Sequence, residues 1–115
     1  MLQQCNRFHG HGSLKFVYKN GQAARSSIAT VKYVKNLYRS HSRFAVVVSK
    51  KVLKSAVRRN RIRRRVYEII RLELPYLKND QDVAIIIFSA EVLLMPHKDL
   101  KQVIKNILSQ AKLYK

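Results

Sequence analysis

The sequence predicts an α+β fold, a two-layer sandwich in which helices pack on one small mixed sheet. Three observations lead there. The runs "SSIATVKYV", "RFAVVVS" and "DVAIIIFS" are dense in β-branched and apolar residues, as strands are. Residues 62–73 and 100–111 instead carry apolar side chains at helical spacing. A length of 115 residues with 47% hydrophobic content supports one core over residues 1–115 and argues against a disordered basic tail.

Taken in order, "NRFHGHGSLKFVYKNG" places Leu14, Val17 and Tyr18 at helical spacing, with Ser13 as a candidate N-cap and Asn20-Gly21 as the stop. Ser26 to Val34 and Arg43 to Ser49 read as two strands joined by the polar loop "KNLYRSHS". Asp82 to Ser89 is almost unbroken in its apolarity, which predicts a central strand covered on both faces.

Between those last two strands lies "SAVRRNRIRRRVYEIIR", with seven arginines from Ser55 to Arg71. Ile62, Val66, Ile69, Ile70 and then Glu73 fall at i, i+4, i+7, i+8 and i+11, and the first four make an apolar stripe that can face the sheet. At about 100° per residue the opposite side holds Asn60, Arg64, Tyr67 and Arg71, with Arg61 and Arg63 on the shoulders. Arg59 falls near the stripe, so it either snorkels or belongs to an undocked first turn. Pro75 closes the helix. A last helix begins near Pro96 and carries Leu100, Val103, Ile104, Ile107, Leu108 and Ala111 on one face.

The formal net charge is +18 and is unevenly placed. Residues 1–67 hold 17 Lys/Arg and no acid, whereas residues 68–115 hold 7 Lys/Arg and all 6 acids, giving +17 against +1. Such a footprint implies a polyanionic partner. No apolar stretch reaches the roughly 18 residues that span a bilayer, and the first residues lack the apolar core of a signal peptide. The expectation is a soluble cytoplasmic protein with no membrane partner. Cys5 stands alone, and four scattered histidines, His9 and His11 among them, offer no zinc spacing. Asp80, Asp82 and Asp99 read as loop and turn residues, so neither a protein metal site nor a catalytic residue is expected.

Like charges at i,i+4 on a helix repel by about 0.2–0.5 kcal/mol per pair, and only Glu68, near Arg64 and Arg65, offers relief. A phosphate ligand removes that repulsion, and the planar arginine fork suits phosphate well. Helix-turn-helix, zinc-finger and zipper patterns are absent, and the strands carry few exposed aromatics of the RNA-recognition kind. Charge and fold alone leave the polyanion open.

The stretch "SKKVLKSAVRRNRIRRRVYEIIR" resembles the signature of the protein subunit of bacterial ribonuclease P, an Arg-Asn-Arg core in a basic helix after a Ser-Lys-Lys strand end. Here these are Arg59, Asn60 and Arg61, and Ser49, Lys50 and Lys51. The match continues through Ala56, Val57, Ile62, Arg64, Arg65, Glu68 and Arg71, and the likeness covers almost the whole chain. Val52 and Leu53 stand where many members have a glycine, and Leu14 and Tyr18 where many have two phenylalanines. His9, Gly10, His11 and Gly12 replace charged residues.

The resemblance implies an accessory protein in a ribonucleoprotein that removes the 5′ leader of precursor tRNA, with hydrolysis and Mg2+ held mainly by the catalytic RNA. Its partners would be that RNA and precursor tRNA, and not DNA. Lys50, Lys51, Arg59, Asn60, Arg61, Arg64 and Arg65 would contact the RNA, with Arg58 and Arg63 extending the same surface. Asn60 adds an acceptor where arginine only donates. A leader-binding cleft would lie between the first helix and the sheet, with Leu14, Tyr18 and either Lys32 or Tyr33. A one-residue register decides between those last two, because neighbouring strand residues point to opposite faces. The implied topology is ribosomal protein S5 domain 2-like, with a left-handed strand-helix-strand crossover against the general preference for the other hand. A noncatalytic ribosomal or other structured-RNA-binding protein is the alternative, and an autonomous nuclease a third reading.

Overall fold

The computed structural model describes residues 16–19, 21–35 and 42–115. Cys5, His9, His11, Ser13 and Leu14 lie outside them. Residues 16–19 are helical (α1), followed by β1 (Gln22–Arg25), β2 (Ala29–Lys35), β3 (Arg43–Val48), α2 (Ala56–Glu73), β4 (Gln81–Ile87) and α3 (His97–Gln110). Short 3₁₀ turns occupy Leu74–Tyr76 and Ala90–Leu93. The sheet order is β1-β2-β4-β3. β2 pairs antiparallel with β1 and β4, while β3 and β4 run parallel, so the sheet is mixed and α2 is its crossover.

Strand β1 has no counterpart in the sequence reading. "QAAR" contains no β-branched residue, and it is extended because β2 pairs with it from Gln22↔Tyr33 to Arg25↔Thr30. Ser26, read as the start of a strand, forms the turn between the two. Its hydroxyl accepts from the amides of Ile28 (3.3 Å) and Ala29 (3.1 Å), an arrangement that competes with strand pairing. Gly21 ends α1 as expected, its amide donating to the Val17 carbonyl at 2.8 Å. A Cβ there would strike the carbonyl oxygens of Val17 and Tyr33, so this close approach requires glycine.

Period-two alternation assigns the faces. Val31, Phe44, Val46, Val48, Val83, Ile85 and Ile87 pack against Ile62, Val66, Ile69 and Ile70 of α2 and Leu100, Ile104, Ile107 and Leu108 of α3. Burying each of these large apolar side chains stabilises the fold by about 1.5–3 kcal/mol. On the other face Val17 of α1 packs on Ala45 and Ala84, with Tyr18 and Val34 at the margin. Two alanines on neighbouring strands leave room for that helix. Central β4 is thus covered on both sides, as its unbroken apolarity predicts.

Tyr67 corrects the helical-wheel reading, which put it opposite the apolar stripe. The residue is only 6% exposed, and its hydroxyl accepts a hydrogen bond from the Val46 amide at 3.1 Å. That amide belongs to β3, an edge strand, so the phenol reaches round the shoulder of α2 to a donor that the ladder leaves unpaired. At the far end of α2, buried Glu73 accepts a 2.8 Å hydrogen bond from the Tyr114 hydroxyl. Burial, aided by that carboxylate, holds the phenol well above its ordinary range. The same segment is pinned by backbone bonds from Lys78 to Leu113 (2.8 Å) and from Lys115 to Tyr76 (2.9 Å).

Candidate nucleic-acid interface

Helix α2 begins where Ser55 caps it, its hydroxyl accepting from the Arg58 amide at 3.3 Å. Just upstream, the amides of Val52 and Leu53 turn back to the Ser49 carbonyl at 3.1 and 3.3 Å, which leaves Lys50 and Lys51 exposed beside the helix start. Arg59 resolves its alternatives by reaching backwards. Its guanidinium donates to the carbonyls of Leu53 and Lys54, both at 2.9 Å, and ties the connection to the first turn.

The remaining arginines divide into two groups. Arg65 points sideways into the 3₁₀ turn after β4, donating to the carbonyls of Val92 (2.6 Å), Leu93 (3.3 Å) and Met95 (2.5 Å). Arg71 makes a fork with Glu68, 2.5 Å at its shortest. Glu68 therefore relieves Arg71, not Arg64 or Arg65 as the sequence suggests, because Arg65 has turned towards the loop. The Arg71 guanidinium holds the Glu68 carboxyl down at about 2, in an exposed pair that water screens.

Facing outward are Lys50, Lys51, Lys54, Arg58, Arg61 and Arg64, all exposed. Among the described residues no acid pairs with them. Arg58, Arg61 and Arg64 recur every three residues, about 4.5 Å apart along the axis. Asn60 stands among them, its carbonyl oxygen taken by Arg63 at 2.5 Å and its amide hydrogens still available to an acceptor. Lys54 was missing from the residues singled out in the sequence, although it lies in the same connection as Lys50 and Lys51.

Two measurements separate these groups. Arg65→Ala leaves partly buried carbonyls without donors and is expected to cost about 2 kcal/mol of stability in urea unfolding. Sulfate, which can bridge the outward cations, is expected to raise the melting temperature over chloride at matched ionic strength, because a ligand of the native state stabilises it by mass action. An unchanged melting temperature would remove the case for an anion-seeking face.

A second basic surface lies on the sheet face that carries α1. Lys32 aligns with Ala84 across the ladder, and its ammonium sits 5.7 Å from the ring centre of Tyr18. Tyr33 points the other way, packs on the main core and donates from its hydroxyl to Gln22 Oε1 at 3.2 Å. The register thus brings Lys32 and Tyr18 together and parts Tyr33 from them. Burial raises the Tyr18 phenol above its usual range. On the same face, Arg25 lies over the Phe88 ring at 5.0 Å from its centre, a couple absent from the sequence reading. Arg43 and Asp82, paired in register on neighbouring strands, close the far end with a fork of 2.7 and 3.0 Å.

A mixed sheet whose parallel crossover is a basic helix, backed by a basic and aromatic sheet face, defines an α+β protein built to hold polyanions. The family model described as ribonuclease P matches residues 2–112. A protein of a Pseudanabaena strain named "Ribonuclease P protein component" is 33% identical over 113 residues, which is 97% of this chain and 96% of that protein. One of the same name from Clostridium kluyveri is 33% identical over 111 residues, 95% of this chain and 96% of that one. The ribonuclease P protein of Staphylococcus aureus superposes with a TM-score of 0.85 at 23% identity, covering 96% of this chain and 98% of that one. That of Thermotoga maritima gives 0.81 at 24%, covering 90% and 96%. The chain belongs to the ribonuclease P protein family.

Proposed function

We propose that this chain, as one domain over residues 1–115, is the accessory protein of a ribonuclease P ribonucleoprotein, binding its catalytic RNA and the 5′ leader of precursor tRNA. Family membership favours this reading over a noncatalytic ribosomal protein. The observation that carries the RNA-binding role is the array of Lys50, Lys51, Lys54, Arg58, Arg61 and Arg64, exposed and without acid partners among the described residues. Each phosphate they neutralise releases condensed counterions, so affinity falls steeply with salt. Arg58, Arg61, Arg64 and Asn60 touch the RNA directly in this reading. Arg59 and Arg65 keep the connection and the 3₁₀ turn in place around them, and Arg63 orients Asn60.

Tyr18 and Lys32 form the leader cleft, with Tyr33 left out of it. The Tyr18 ring offers a stacking face and the Lys32 ammonium a phosphate partner. Magnesium belongs with the RNA in this assignment, where it supplies the activated water. Among the described residues no three His, Cys, Asp or Glu side chains converge as a protein metal site needs. No described helix is long and apolar enough to cross a membrane. The cytoplasm, where tRNA is processed, is the proposed location.

The test is cleavage of a 5′-extended precursor tRNA at low magnesium by cognate ribonuclease P RNA, with and without this protein, alongside the protein alone. Rescue confined to the mixture supports the reading. Cleavage by the protein alone would make it a nuclease in its own right, and no rescue with a folded protein and competent RNA would sink the accessory role.

A further inference from the structure

The sheet face beside α1 carries two cation and aromatic couples, of which the leader cleft uses one. Arg25 pairs in register with Thr30, Thr30 with Ile86, and Lys32 with Ala84. Lys32 and Thr30 are two positions apart on β2 and so share a face, with Arg25 standing one row beyond Lys32. Phe88 follows two residues after Ile86, and its amide donates to the Ile28 carbonyl at 3.0 Å, extending the ladder by one bond. The couple of Lys32 with Tyr18 and the couple of Arg25 with Phe88 therefore lie along one strand direction, about 7 Å apart along β2.

Phe88 is 38% exposed, so part of its ring is open to a ligand. Arg25 is exposed as well, and no acid pairs with it among the described residues. An exposed ring beside an unneutralised guanidinium offers a base a stacking face and its phosphate a cation, the combination that holds single-stranded nucleic acid without reading sequence.

We propose that Arg25 and Phe88 form a second stacking step on this face, holding a leader nucleotide next to the one at Tyr18 and Lys32. The assignment rests on the leader-cleft reading above and extends it. Phe88 supplies the ring, and Arg25 bridges from that ring to the backbone phosphate.

The experiment measures the affinity of the assembled protein and RNA for precursor tRNAs whose leaders lengthen by one nucleotide at a time. Wild type should gain affinity in steps. Phe88→Leu and Arg25→Gln should lose one of those steps, about fivefold or more, and keep the others. Phe88→Tyr keeps the ring and should retain the step, which separates stacking from apolar packing. Equal affinities for wild type and both variants at every length, or an equal loss at every length including the tRNA without a leader, overturn the second step while leaving the cleft intact. A wild type that gains nothing from any leader overturns the cleft reading itself, and this inference with it.

Discussion

Replacing Arg58, Arg61 and Arg64 together by alanine is expected to weaken binding to ribonuclease P RNA about a thousandfold at low salt while leaving the protein slightly more stable. The two effects have opposite signs for one reason. Each arginine faces water without an acid partner among the described residues, so the free protein gains nothing from it and suffers its repulsion. Three hydrogen bonds to charged phosphates, at about 1.5 kcal/mol each, amount to roughly three powers of ten in affinity. Removing three phosphate contacts should also flatten the plot of log affinity against log salt by about 2 to 3. Alanine meanwhile removes i,i+3 repulsion and has the best helix propensity. Binding titrations at several salt concentrations, together with thermal melting, give both quantities. A triple variant that binds as tightly as wild type, or one that unfolds, refutes the division between outward and inward arginines.

Asp82→Ala is the second large effect, and it falls on stability. Asp82 and Arg43 retain 8% and 15% of their side-chain exposure and meet in a two-pronged contact between parallel neighbours. Removing the carboxylate takes the forked partner from a guanidinium in a poorly solvated place, at a cost of about 3–5 kcal/mol. That is a large part of the 5–15 kcal/mol that usually holds a domain together. Arg43→Met should be similarly harmful, since it takes the fork from the acid instead. Combining Arg43→Met with Asp82→Leu should cost less than either single change, because neither charge of the fork then remains in the poorly solvated site. Urea unfolding of the three variants decides. A double variant as unstable as the sum of the singles would mean that the pair matters for its shape and not for its charge.

Much of this architecture is legible in the sequence because hydrophobic period and length determine it. The stripe Ile62, Val66, Ile69 and Ile70, the closing Pro75, the α3 face from Leu100 to Ala111 and the two-sided burial of β4 all follow from local pattern. What escapes is settled by partners far away in the chain. β1 is extended only because β2 lies beside it. Tyr67 leaves its expected side because an unpaired amide on β3 is within reach of its hydroxyl. Arg65 looks like its neighbours in a string of arginines, and only the placement of Val92 to Met95 shows that its fork is occupied. The choice between Lys32 and Tyr33 needs the register of one strand, which composition cannot supply. Phe88 ends an apolar run and reads as more of the same until Arg25 is seen above it.

The hydroxyl of Tyr67 on the Val46 amide bears on self-association. An open four-stranded sheet has two edges, and an unpaired edge amide is a template on which another copy can add a strand. A net charge of +18 keeps free copies apart by repulsion, but a polyanion that neutralises the charge removes that repulsion. A capped donor does not depend on charge. At Val46, protection against strand addition persists in the state where electrostatic protection has gone.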